Sequence, residues 1–213
     1  MNHLQHITDR QIEEMEQRQR VKFVNSLPGF KSLNLIGTVS KEGVSNLAIV
    51  SSVIHFGSSP ALIGYVSRPA STERHTLSNI LNTGTYTINQ VSETFFKPAH
   101  QTSARYPDEV SEFEAVGLTP LFRKGLVPPF VLESRVTMHL ALEEDVEIRS
   151  NNTVMVVGKV TDVFLDQSLL MDDGNIDIEK AGTITGSGLD GYFRPQKLAR
   201  LSYAKVDRPV VEI

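Results

Sequence analysis

Residues 68–79 (RPASTERHTLSN) bring together two guanidinium groups, an imidazole and a hydroxyl, those of Arg68, Arg74, His75 and Thr76, where an extended run gives way to helical periodicity. The first turn of a helix points unpaired N–H groups outward, and its dipole favours an anion there. Guanidinium forks match phosphate oxygens two at a time, and a threonine hydroxyl adds one short bond. Cations at a helix start are otherwise unfavourable, so a bound anion would explain their placement. The other reading is a solvated first turn with a basic bias, which Glu73 partly cancels. Both readings stay open on the residues alone.

Other chemistries find little footing. The six histidines, His3, His6, His55, His75, His100 and His139, show neither the HExxH nor the His-x-His spacing that places two imidazoles on one metal, so no metal site is expected. No G-x-S-x-G elbow is present, and Ser51 and Ser52 have no local base, which reads as hydroxyls on the polar face of a strand. The chain has no cysteine. That excludes disulfides, thiolate nucleophiles, thiolate metal sites and cysteine-held iron–sulfur clusters. Any electron transfer must then be carried by a bound organic cofactor. No G-x-G-x-x-G follows a strand to mark a dinucleotide fold.

The elements that must position these residues are mostly strands. Stretches 33–39, 47–55 and 61–66 are short, β-branched or apolar, and bounded by Gly, Pro, Ser or Asn. Ser40-Lys-Glu-Gly43 reads as the turn of a hairpin. In 71–84 the apolar Leu77, Ile80 and Leu81 fall at helical spacing, with Ser71 or Thr72 as cap and Gly84 as stop. A strand over 85–91 follows directly. Stretches 130–143 and 153–164 predict two longer strands, with Gly158 marking a bulge or a close backbone approach. Residues 8–22 predict one surface helix. The polar stretch 92–120, interrupted by Pro98, Pro107, Gly117 and Pro120, has no clear period and reads as a functional or capping excursion. Six or so strands around one well-marked helix argue for a β-barrel or sandwich rather than an alternating α/β fold.

Composition agrees with a folded domain. The 213 residues include 40% hydrophobic and 22% charged side chains, with a formal net charge of −4. Length favours one domain with an elaboration. That charge is too weak to argue for nucleic acid as a partner. No run nears the roughly 18 apolar residues of a membrane helix, and residues 1–20 lack the apolar core of a signal peptide. No membrane association and a cytoplasmic location are the resulting expectations.

The run SNLAIVSSVIHFGSSPALIGYVSRPASTERHTLSNILNTGTYTINQV resembles the flavin reductase-like, FMN-binding split-barrel family. There an N-x-A…S strand, a PAL-hydrophobic strand, a basic-x-T-x-x-N helix start and a closing V-N strand occur in this order. The likeness continues through KPAHQTSARYPDEVSEFEAVGLTP, VMVVGKV and the tail GYFRPQKLARLSYAKVDR. It implies a mainly β fold, a Greek-key-like split β-barrel with a few peripheral helices, flanked by a helical extension at 1–22 and a tail at 171–213 that packs on the barrel (23–170) or on a dimer partner. It also implies FMN as cofactor, flavin reduction with NADH or NADPH as reductant, a homodimer, and a monooxygenase or redox protein as acceptor; an FMN electron carrier reduced by a protein partner and a flavin-binding module without turnover are the alternatives. The positions matching the flavin-contacting strand are Asn46, Ala48, Val50, Ser51 and Ser52. Arg68, Arg74, His75 and Thr76 match the phosphate positions, although His75 stands where an acid is frequent, and Asn79 and Asn89 match supporting asparagines. His100, Thr102 and Ser103 become candidates for a nicotinamide or substrate pocket. No catalytic side chain is required for hydride transfer between nicotinamide and flavin.

Overall fold

The computed structural model describes residues 3–68, 75–107 and 109–213. Its centre is a seven-stranded antiparallel sheet. In spatial order the strands are β3 (Ser45–Val50), β2 (Asn34–Val39), β6 (Thr85–Gln90), β9 (Val136–Ile148), β10 (Thr153–Leu165), β5 (Ala61–Ser67) and β4 (Ile54–Ser58). The two edge strands, β3 and β4, are joined by residues 51–53 alone. Three residues reach only about 10 Å, so the sheet must curl until its edges nearly meet. Ser52 sits in that link, where its hydroxyl donates to Val66 O and accepts from Val66 N, both at 3.1 Å. The sequence predicts one strand over 47–55. The structure breaks it at the seam, because the chain there passes from one edge of the barrel to the other.

The barrel interior is filled by Ile36, Tyr65, Tyr86, Ile88, Leu140 and Val156, and the helix α3 (His75–Thr83) covers it with Leu77 and Ile80. Gly84, at φ 71°, stops α3 as expected and turns the chain straight into β6. On the other face of β2 and β3, Leu35 and Leu47 join Val91, Phe95, Phe113 and Val131 in a second core. Every residue of β2 is buried, since alternate side chains serve the two cores. Gly158 lies at a register shift in the β9–β10 ladder. A Cβ there would stand 2.4 Å from the Tyr86 hydroxyl. The expected close approach is therefore to a ring inside the barrel.

The stretch 92–120 carries two short helices, α4 (Phe96–Gln101) and α5 (Glu112–Val116), laid against β3. The single strand predicted over 130–143 is two. Here β8 (Leu126–Val131), paired with β7 (Pro120–Arg123), ends before a turn at 132–135, and β9 begins after it. At the N-terminus, α1 (Asp9–Glu14) and α2 (Gln17–Ser26) replace one predicted helix, with Met15 extended between them. A capping box of Thr8 and Gln11 starts α1. The small strands β1 (Lys31–Ser32), β11 (Thr185–Ser187) and β12 (Gly191–Phe193) form a separate three-stranded sheet that ties part of the tail beside the second core. Beyond it, residues 200–213 fold back as a hairpin. Among the described residues no helix is long and apolar enough to cross a membrane.

Candidate functional site

An edge strand presents unpaired backbone N–H groups, and β3 has two of its own occupied by side chains from the excursion. Glu112, 5% exposed, accepts from Leu47 N at 2.9 Å through Oε2. Thr102, also buried, accepts from Ile49 N at 3.0 Å while its hydroxyl donates to Ala99 O. α4 and α5 thus hold the outer edge of β3 in place without adding a strand.

The same Glu112 oxygen accepts from Asn46 Nδ2 at 2.8 Å. Because the amide nitrogen is committed to the carboxylate, Asn46 Oδ1 must face the other way. There it accepts from Thr38 Oγ1 at 3.1 Å and from Thr76 Oγ1 at 2.8 Å. Asn79 Nδ2 in turn donates to Thr38 Oγ1 at 3.2 Å. One buried network therefore links α5, β3, β2 and the first turns of α3. It brings together Asn46, Thr76 and Asn79 of the expected set. It also turns the Thr76 hydroxyl proton inward onto Asn46, so that Thr76 ties the helix start to the strand.

Beside this network opens a concavity of about 620 Å³ lined by Ser45, Asn46, His75, Ser78, Asn79 and Asn82 together with Lys41 and Glu109. A volume of this size lies within the range of ligand pockets. His75 and Asn79 therefore face a cavity at the start of α3. Arg68 is exposed just past the end of β5, and among the described residues no ion pair engages its guanidinium. Arg74 lies outside the described residues. Ala48, Val50, Ser51 and Ser52 are half-buried along the end of β3 and the seam. Val50 and Val53 pack on the barrel core, and residues 51–53 belong to no strand. The Ser52 hydroxyl is consumed at the seam by Val66.

The other expected residues fall elsewhere. Asn89, fully buried, donates to Leu35 O and to Thr87 Oγ1 and accepts from Val131 N at 3.0 Å, so it latches β8 across β6. His100 is exposed, its Nδ1 lies 2.6 Å from the Tyr192 hydroxyl, and the tyrosine ring packs on Phe96. Burial, with Asp190 adding to it, holds the Tyr192 phenol above its usual range. Ser103 is exposed after the end of α4, and Thr102 is committed to β3. Sequence reading missed Glu112 and Thr38. The available signal was weak: an acid one residue after Ser111 at a helix N-terminus, beside the apolar Phe113, in a stretch that otherwise looks like surface.

A mainly β split barrel with few helices, an acid-anchored edge strand and a helix start beside it define the architecture. Over residues 29–178 the sequence matches the profile of the flavin reductase like domain, and the chain belongs to that family. A solved candidate flavin reductase with a split barrel domain from Shewanella frigidimarina NCIMB 400 is 47% identical. It superimposes with a TM-score of 0.90 over 94% of this chain and 100% of that one. Nitrilotriacetate monooxygenase component B from Bacillus cereus shares the fold at 22% identity and a TM-score of 0.82, covering 94% of this chain and 100% of its own. An uncharacterised protein of Aquifex aeolicus is 29% identical over 178 residues, 81% of this chain and 88% of the relative. Membership makes this a flavin-binding, oxidoreductase-type domain.

Proposed function

We propose that this chain binds FMN and reduces flavin at the expense of NADH or NADPH, working as a homodimer that hands reduced flavin to a monooxygenase or another redox protein. The observation that carries the reading is the buried Glu112–Asn46–Thr76 network. It fixes the start of β3 and the start of α3 side by side, while the seam at 51–53, at the other end of β3, is left out of the ladder. The concavity beside the network is lined by hydroxyls, amides and an imidazole, and the exposed Arg68 follows two residues after Val66, which Ser52 holds at the seam. That donor-rich set suits a phosphate and the carbonyl edge of an isoalloxazine better than it suits a metal. The residues present therefore fit FMN.

Arg68 and Arg74 would hold the phosphate, and His75 would stand beside it at the helix start. The backbone of residues 50–53 would meet the polar edge of the ring, with Ala48 and Val50 against its plane. When bound, the flavin would supply the redox chemistry as hydride acceptor from nicotinamide. The protein aligns, holds charge and limits water, and those are large contributions when two reactants must meet face to face. Such a transfer needs no paired acid and base from the protein.

The deciding experiment is steady-state oxidation of NADH and NADPH by the purified protein with FMN added. Turnover that saturates in both nicotinamide and flavin supports the reading. A protein that is yellow as purified yet oxidises neither nicotinamide would make it an electron carrier and overturn the reductase assignment.

A further inference from the structure

The hairpin of β7 and β8 turns at residues 124–125, with Gly125 at φ 82°, and leaves Arg123 at the end of β7. The Arg123 guanidinium carbon lies 3.8 Å from the centroid of the Phe164 ring on β10 and 5.4 Å from that of Phe130 on β8. These two rings meet edge to face with centroids 5.3 Å apart, so the guanidinium rests on an aromatic pair. Its Nε is buried without a hydrogen-bond partner. Among the described residues no ion pair engages the group. A half-buried charge left unpaired in this way is costly.

Arg123 stands at a concavity of about 720 Å³ between β8, the end of β10 and the single helical turn at Gln167–Leu169. Small-molecule sites have volumes of this order. Leu132, Val163, Leu165 and Leu170 give it an aliphatic wall, and Leu132, Val163 and Leu170 are 55%, 48% and 54% exposed. Phe130 is fully buried and Phe164 offers a face to Arg123, so the uncovered wall is one of branched chains. The second cation of the cavity, Arg135, is already committed. Its Nη2 donates to Asp166 Oδ2 at 3.3 Å and its Nη1 to Lys180 O at 2.7 Å. Hydrogen bonds from Ser168, with Arg135 beside them, hold the Asp166 carboxyl below its usual range, so it stays charged. One unopposed positive charge remains, that of Arg123.

This cavity and the one beside the Glu112–Asn46–Thr76 network share no lining residue. Val154, at the start of β10, pairs with Ser67 next to Arg68, whereas the cavity takes residues 163–165 of the same strand. The separation is roughly 30 Å along β10.

We propose that this cavity binds an aliphatic monocarboxylate, its head on Arg123 and its chain along Leu132, Val163 and Leu170. A carboxylate meets a guanidinium fork with both oxygens at once. Because the rings already fix the guanidinium, little ordering remains to be done on binding. A phosphate monoester would bring a second negative charge toward Asp166, and a neutral chain would leave Arg123 unpaired. The inference does not depend on whether the barrel binds flavin or nicotinamide.

The test is isothermal titration calorimetry on the full chain, with and without FMN, using octanoate as probe and octan-1-ol as its neutral counterpart. Octanoate should bind saturably and equally in both preparations. Arg123→Met keeps an apolar stem against Phe164 and removes the charge. It should weaken octanoate at least about tenfold while changing octan-1-ol less than about twofold. Leu170→Glu puts a like charge on the exposed wall and should weaken octanoate by a similar factor, with unchanged melting temperatures as the folding control for both variants. No saturable octanoate signal, equal losses for acid and alcohol in Arg123→Met, or an octanoate signal displaced by FMN or by inorganic phosphate would each overturn the proposal. Octanoate binding that weakens as the protein is concentrated would show a second copy seated on the cavity and would overturn it as well. A chain that binds octanoate through Arg123 but no FMN would uphold this site while removing the flavin reading.

Discussion

Replacing Glu112 with alanine removes one carboxylate oxygen that serves two buried donors, Leu47 N at 2.9 Å and Asn46 Nδ2 at 2.8 Å. A hydrogen bond to a charged group contributes about 1.5–3 kcal/mol, and a buried donor left without a partner costs about 1–3 kcal/mol. Water entering the vacated space would satisfy part of the loss, so Glu112→Ala should destabilise the chain by about 2–5 kcal/mol. At about 2–4 °C per kcal/mol for a chain of this size, the melting temperature should fall by roughly 5–15 °C. Glu112→Gln keeps the volume and one acceptor oxygen, which can take one donor well, so it should cost about 1–2 kcal/mol. Urea unfolding of the three proteins gives the order directly. The Asn46 amide is also freed to turn, which loosens Thr76 and the start of α3, so FMN affinity should fall in both variants even where folding is complete. If Glu112→Ala unfolds within 0.5 kcal/mol of the wild type and binds FMN equally well, the network is not what holds the site.

Other substitutions test separate parts of the account. Gly158→Ala would place a methyl 2.4 Å from Tyr86 Oη and 2.9 Å from its Cζ, and should cost about 1–3 kcal/mol in urea unfolding. The Tyr86 hydroxyl is buried without a partner, and burial holds its pKa well above the usual range. Tyr86→Phe should therefore be neutral or stabilising, and in combination it should recover part of the Gly158→Ala loss; an additive result would place the clash elsewhere. Arg68→Ala should weaken FMN by about 1–3 kcal/mol and leave riboflavin nearly unchanged in fluorescence titrations, whereas equal losses would mean that the arginine does not meet the phosphate. His139 is buried, with Nδ1 2.6 Å from the Thr161 hydroxyl and Nε2 unpartnered. Burial lowers its pKa, and Asp162 opposes that only in part. The unfolded chain then binds the proton first, so His139 withdraws stability as pH falls from about 6.5 toward its folded pKa. Compared with His139→Gln, the wild type should lose relative stability between pH 7 and pH 5. A difference that stays constant, or grows in favour of the wild type, would show that the ring is not held neutral.

The parts of the fold that sequence reveals are those whose causes are local. The turn at residues 40–43, the Gly84 stop and the bulge at Gly158 each follow from a residue and its neighbours, and each stands where expected. The seam at 51–53 does not, because LAIVSSVIH reads as one strand until Ser52 meets Val66 across the barrel. α4 and α5, at 6 and 5 residues, are too short to show a period, and Pro98 lies inside the first of them. The site divides the same way. Asn46, Thr76 and Asn79 carry polar types at spacings that mark them, whereas Glu112 becomes a buried anchor only through a partner 66 positions away. Asn89 shows the converse, since its residue type suits a ligand but its partners are strands of the barrel.

FMN binding by the purified protein is the measurement closest to the central claim, followed by quenching of flavin fluorescence and by the melting temperature. The expected result is saturable binding of one FMN per chain. At 100 times the dissociation constant it should add about 2.7 kcal/mol to stability. A flavin signal that never saturates, with a melting temperature that FMN leaves unmoved, would contradict the account.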